Sequence, residues 1–297
     1  MSRAALIDFA LVAALTAMWG SAFVLIEFAL PEFSPAMIAF LRIGAAAIFV
    51  VIWALATGAG VPKTSAHWAK CAALGFFGFA FPFFMVPLGQ EYVNSATAAL
   101  LMAFSPISTL ILAHFLTQDE KMTTRRLLAV VLGFSGILVL FGSGLDFKTM
   151  GVGGGALLAA AFSYAIAGLV MKSLRTFSDV SSSAGSLITG TLWCLPAMGL
   201  RSDFAKITSV FDASSQAIIS LVVLAIGPTG LATILVLWVV RRRGATFAAT
   251  SNYGVPVFGV LLGAAVLGDP IGWNILVTLA LILMAIWLAQ PNPTASG

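Results

Sequence analysis

Few residues of this chain are both chemically capable and set among apolar neighbours. Arg42 is the one cation that must lie inside a hydrophobic run, and Glu27 falls near the same depth at the end of the preceding run. A charge inside a membrane costs several kcal/mol unless it is paired or wet, so an ion pair between Glu27 and Arg42 is expected. Recognition of a substrate carboxylate and snorkelling of Arg42 to the outer interface are the alternatives. Asn252 and Tyr253, with Ser251, offer amide and hydroxyl groups suited to a zwitterion or to interhelical hydrogen bonds. Ser105, Ser163 and Tyr164 add hydroxyls. Leu15, Trp19, Phe23 and Glu27 follow an i, i+4 ladder on one helix face, and Phe79 and Phe83 stand one turn apart.

Other chemistries lack their residues. An intramembrane hydrolase needs a Ser–His pair, paired midplane aspartates or a metal-binding HExxH. The only histidines, His67 and His114, fall at or near the ends of apolar runs, and no aspartate is read inside any of them. No G-x-x-x-x-G-K-[ST] is present, so the chain itself is not expected to consume ATP. Cys71 and Cys194 lack ligand spacing and read as buried structural thiols. Neither a metal nor a cofactor is expected. A channel would call for a polar stripe or a carbonyl filter, and neither is evident.

The elements that position these residues follow from composition. Hydrophobic residues make up 60% and charged residues 9%, with a mean hydropathy of +1.06. A soluble domain carries roughly a quarter charged residues, so most of this surface must meet lipid. At roughly 20 residues per spanning helix, the 297 residues hold about ten spans. Apolar runs place them at 7–27, 35–57, 67–89, 94–116, 124–141, 152–174, 183–200, 214–240, 245–267 and 271–289. The first run is too long for a cleaved signal segment and is expected to stay.

Ten spans with a cytoplasmic N-terminus put Arg3, Lys63, Lys70, Lys121, Arg125, Arg126, Lys172, Arg175 and Arg241–Arg243 inside. Only Lys148, Arg201 and Lys206 fall outside, as the positive-inside rule requires. The net charge of +4 is thus a topology signal rather than a mark of nucleic-acid binding. Both termini are expected in the cytoplasm.

Shifted by 150 positions, Ser105–Glu120 aligns without gaps on Val255–Pro270, with Pro106 on Pro256 and Asp119 on Asp269. The chain therefore reads as two five-helix repeats, 1–145 and 146–297, joined by the glycine-rich link near Gly151–Gly155. An odd number of spans per repeat inverts the second half, which places a substrate site between the halves near the midplane. At 1.5 Å per residue, Trp19, Ser105, Ser163 and Pro256 all lie roughly 15–18 Å deep, near the middle of hydrocarbon about 30 Å thick. Prolines free the carbonyl one turn earlier, here those of Met102 and Asn252. Pro106 and Pro256 are accordingly expected as kinks beside a cavity lined by Trp19, Phe23, Phe79, Phe83, Met102, Ser105, Ser163, Tyr164, Asn252 and Tyr253.

The Trp-Gly-Ser-Ala-Phe run at Trp19–Phe23, the arginine of Ala-Phe-Leu-Arg at Ala39–Arg42 and the paired proline helices with acidic turns resemble the drug/metabolite transporter superfamily, EamA type. The resemblance covers nearly the whole chain. It implies an all-α membrane protein of ten helices in two inverted repeats around a central cavity, exporting a small metabolite. Within the superfamily the chain looks most similar to aromatic amino-acid exporters. Ser163-Tyr164-Ala165 departs from the first half's Trp19-Gly20-Ser21, so the halves are expected to contribute unequally. The implied partners are an amino-acid substrate, the lipid of a bacterial inner membrane and a possible second copy of the chain.

Overall fold

The computed structural model describes residues 3–116, 122–142 and 150–289; Asp119, Glu120, Lys121, Asp146 and Lys148 fall outside them. Among the described residues the chain is helical, without strands. In chain order the helices are α1 (Arg3–Ala29), α2 (Pro35–Ala56), α3 (Ser65–Gln90), α4 (Ser95–Leu116) and α5 (Thr124–Phe141). After these come α6 (Gly151–Ser173), α7 (Asp179–Leu200), α8 (Ser215–Arg243), α9 (Ser251–Leu267) and α10 (Trp273–Ala289). Six of them, α1, α2, α3, α4, α6 and α8, are long and apolar enough to cross a membrane; α9 and α10 are shorter apolar helices. Large side chains such as Ile48, Ile52, Leu138, Leu200 and Trp287 stay uncovered by protein, as a lipid-facing surface requires.

In so apolar a chain, helix starts are set by capping residues rather than by amphipathic periodicity. Ser34, Thr64, Asn94, Thr123, Ser178 and Ser214 each accept a hydrogen bond from the backbone N–H three residues on, typically worth about 1 kcal/mol. The Ser178 cap explains why α7 begins at Asp179 rather than at the expected 183. Its first turn is Asp-Val-Ser-Ser, too polar to register as part of a span. The expected 245–267 divides into a single turn, Ala245–Ala248, and α9.

Four helices, α3, α4, α6 and α8, depart from regular α geometry. α4 is broken at Ala103–Phe104, and Pro106 lies in the first turn after the break, so this proline starts a helix rather than kinking one. Ser105 donates its hydroxyl to the Met102 carbonyl at 2.7 Å, the carbonyl the proline frees. Pro256 lies buried inside α9. α3 contains a π-helical stretch, Phe76–Ala80, and α8 another, Ala225–Leu231, while a third, Met150–Gly154, opens α6, so the expected glycine-rich link is helical from there on. Moved by 150 positions, the first stretch falls on 226–230, inside the second. The π insertions of α3 and α8 disturb the carbonyl ladder, and side chains complete it. Thr189 donates to Cys71 O (2.9 Å), Trp193 Nε1 to Ala72 O (3.0 Å) and Ser163 to Phe77 O (2.7 Å). In α8, Thr229 donates to Leu224 O (2.8 Å) and Thr233 to Thr229 O (2.6 Å).

Helix α2 packs on α7, α4 on α9 and α5 on α10. Packing also joins α1 to α9 and α4 to α6, α1 to α8 and α3 to α6, and α2 to α8 and α3 to α7. Exchanging each helix for the one five places along converts each of these pairs into itself or into another of them, whereas the smaller α4–α10 and α1–α4 contacts have no exchanged counterpart of similar extent. Polar contacts then tie the helix ends together. At one end Asp8 of α1 meets Arg242 and Arg243 of α8, Arg241 meets Asp179 of α7, His67 of α3 meets Ser182 of α7, and Lys70 reaches Ser173 O of α6. At the other, Glu91 meets Arg201 at 3.7 Å, Ser34 donates to Asp203, and Asp269 accepts from Ser95 at 2.6 Å and from the Ala96 N–H at 3.0 Å. Every such contact joins ends that fall on the same side when successive helices alternate in direction.

Candidate functional site

Arg42, two turns into α2, is 5% exposed. Its Nε donates to Thr229 Oγ1 at 2.7 Å, and its guanidinium carbon lies 3.9 Å from the Phe83 ring centroid. Thr229 is 1% exposed and sits in the π-helical stretch of α8, where its own proton goes to Leu224 O. The oxygen it turns to Arg42 is thereby fixed as an acceptor. Phe83 belongs to α3 and meets Phe79 edge-on, with ring centroids 5.7 Å apart. Tyr164 of α6 packs on the same cluster as Phe79, Phe83 and Ile43, the residue after Arg42. Four helices thus converge on one buried cation.

Among the described residues no ion pair joins Glu27 to Arg42, contrary to expectation. Glu27 instead accepts from Gln90 Nε2 at 3.1 Å, and the same amide donates to the Phe23 carbonyl at 2.8 Å. The two charges lie at different depths: Glu27 meets Gln90 at the very end of α3, whereas Arg42 lies against Phe83, two turns earlier in the same helix and so roughly 10 Å further in.

The expected lining residues divide. Phe79, Phe83 and Tyr164 gather about Arg42. Trp19 packs with Leu15 against Leu235 and Val236 of α8. Phe23 is buried in a separate cluster, against which Met102 and Tyr253 pack. The hydroxyls of Ser105 and Ser163 are spent on backbone carbonyls and act as helix braces. Tyr253 donates to Ile286 O of α10 at 3.2 Å and, with Thr16, Phe258 and Trp287, borders an open groove of about 590 Å³ between α1, α9 and α10. Its hydroxyl is therefore turned to α10 rather than to Arg42. Asn252 is half-buried, and its side chain makes no hydrogen bond among the described residues.

The reading that no aspartate lies inside an apolar run is corrected by Asp8. It is 4% exposed within α1 and holds Arg242 Nε at 3.1 Å and Arg243 Nε at 3.6 Å. The signal for it was the triple arginine closing α8, which needs a countercharge wherever it meets the bundle. Thr229 and Gln90 were also missed, since a neutral side chain in an apolar run gives no sign of what it will face. Cys71 and Cys194 are free and buried.

Helices long and apolar enough to span a bilayer, with large apolar side chains left uncovered, define an integral membrane protein. The chain belongs to the EamA-like transporter family, whose model matches residues 7–142 and again 152–289. It is 25% identical over 256 residues to the uncharacterized transporter YdfC of Bacillus subtilis (strain 168), covering 85% of this chain and 80% of that one. It is 24% identical over 283 residues to the uncharacterized transporter YoaV of the same organism, covering 92% and 93%. A crystal structure at 19% identity shares the fold with a TM-score of 0.67, over 97% of this chain and 98% of its own.

Proposed function

We propose that this chain exports a small neutral or zwitterionic metabolite, an amino acid with an apolar or aromatic side chain, across the bacterial inner membrane by alternating access. The observation that carries the reading is the exchange of helix pairs between the halves around a centre holding one cation and several aromatic rings. Two five-helix repeats, 1–145 and 146–297, inserted in opposite senses, would give a carrier two nearly equivalent conformations, one open to each side. The ring of Phe79, Phe83 and Tyr164 suits an apolar side chain. The basic end formed by Lys70 and Arg241–Arg243 is the cytoplasmic one, and both termini lie there. Ten spans follow from this arrangement, with α5 and α10 at the lipid-facing edge or against a second copy of the chain.

Proteoliposomes containing only this protein, preloaded with unlabelled L-phenylalanine or L-leucine, should accumulate the labelled amino acid by counterflow that saturates and is competed. Competition by other metabolites but by no amino acid would retain the carrier and discard the substrate. Flux that never saturates would discard both.

A further inference from the structure

We infer that Arg42 and Tyr164 form the binding point for a single carboxylate, with Thr229 and Phe83 as positioning residues that aim the guanidinium. The inference deepens the transport reading above and rests on it for the molecule that carries the carboxylate.

A guanidinium has five N–H donors. One of those of Arg42 is used, on Thr229, and the other four have no acceptor among the described residues. Its terminal nitrogens are not sealed away either, although the side chain as a whole is nine-tenths buried. A buried charge without a counterion is costly, and the acids that might neutralise it are engaged elsewhere. Glu27 is held by Gln90, Asp8 by Arg242 and Arg243, and Asp269 by Ser95. The neighbours Arg42 does have are a hydroxyl oxygen and the face of a ring, which hold a cation in place without cancelling it.

The way Arg42 is held selects the ligand. Thr229 occupies Nε, so the free edge is the one formed by the two terminal nitrogens. That edge presents parallel N–H donors matched to two carboxylate oxygens. Phe83, its ring centroid 3.9 Å from the guanidinium carbon, backs the group, and Thr229, its own proton committed to Leu224 O, holds Nε. The Tyr164 phenol, packed on the same cluster as Phe79 and Phe83, also makes no hydrogen bond among the described residues and is assigned as a third donor to the carboxylate. With one cation the site balances one negative charge. A carboxylate fits that balance, whereas a phosphate dianion would call for further cations.

Three probes sharing one ring separate charge from shape: 3-phenylpropanoate, 3-phenylpropanamide and 3-phenylpropylamine, titrated against the purified full chain in detergent at fixed chloride, with intrinsic fluorescence and thermal midpoint as readouts. The carboxylate should bind at least tenfold tighter than the amide or the amine. Arg42→Lys should weaken it tenfold or more, and Thr229→Val and Tyr164→Phe about threefold each, with Thr229→Ser restoring it. In counterflow of L-phenylalanine, Thr229→Val should raise the half-saturating concentration and change the maximal rate less than twofold.

Equal binding of amide and carboxylate would overturn the site, as would carboxylate affinity unmoved in folded Thr229→Val and Tyr164→Phe. Those two variants carry the test if Arg42→Lys does not fold. Arg42-dependent carboxylate binding without amino-acid counterflow would keep the site and sink the amino-acid reading. Counterflow insensitive to both variants would do the reverse.

Discussion

Asp8 is a carboxylate almost wholly removed from water, between two arginines that are themselves partly exposed. Breaking a buried ion pair costs about 3–5 kcal/mol when the orphaned charge is trapped. Here the orphans can hydrate, so Asp8→Asn should cost about 1–2 kcal/mol, read as a lowered unfolding midpoint in detergent. Arg242→Gln should cost less, because Arg243 still serves Asp8. Glu32, in the loop after α1, behaves differently. It is exposed, and the Ser214 hydroxyl and amide both donate to it, the amide at 2.8 Å, holding its carboxyl below the ordinary value of 4.5. A lowered pKa gives stability that is present above 4.5 and fades as the pH falls below it. The Glu32→Gln variant should therefore track the wild type less closely at pH 6 than at pH 3, where their midpoints converge. The difference between the two midpoints as a function of pH checks this. Arg42 and Glu27 show what was legible at this scale. Counting residues put the two near one level, whereas Arg42 lies about two turns further in, and an apolar helix without a polar face leaves rotation undetermined, so the partner of a buried charge could not be read.

At the scale of the element, the π-helical stretches matter more than the prolines. Those in α3 and α8 lie in helices next to Arg42, and the one in α8 carries Thr229, so the aim of the guanidinium depends on an irregular turn. Ser163→Ala leaves the Phe77 carbonyl without its donor and should cost about 1–3 kcal/mol, with Ser163→Thr closer to wild type in thermal unfolding. Close contact of α3 with α7 rests on Gly75. A β-carbon there would lie 2.7 Å from the Ser186 carbonyl and 2.8 Å from the Gly190 nitrogen, both backbone atoms that cannot step aside. Gly75→Ala should lower stability by about 1–3 kcal/mol. Helix existence was legible from apolar runs and caps, whereas the π insertions were not. Phe-Phe-Gly-Phe-Ala and Ala-Ile-Gly-Pro-Thr-Gly-Leu signal a weak helix, but not that a neighbouring helix will supply the missing donors.

For the whole molecule, the proposed inversion makes a demand that each half alone does not. The contacts at helix ends join α1, α3, α7 and α8 at one face and the α1–α2 turn, α3, α7 and the α7–α8 connection at the other. If the first half enters from the cytoplasm and the second from outside, Thr64 and Thr176 share the cytoplasmic face while Pro31 and Asp212 share the outer one. All four are exposed. With Cys71 and Cys194 replaced by alanine, single cysteines at these positions can be challenged in intact cells with a maleimide that does not cross the membrane. Pro31→Cys and Asp212→Cys should label; Thr64→Cys and Thr176→Cys should label only after the cells are opened. A reversed pattern in the second half alone would make the halves parallel. Lys172 and Arg175 would then face outward against the positive-inside bias, and the helix exchange around Arg42 would lose its two-sided meaning.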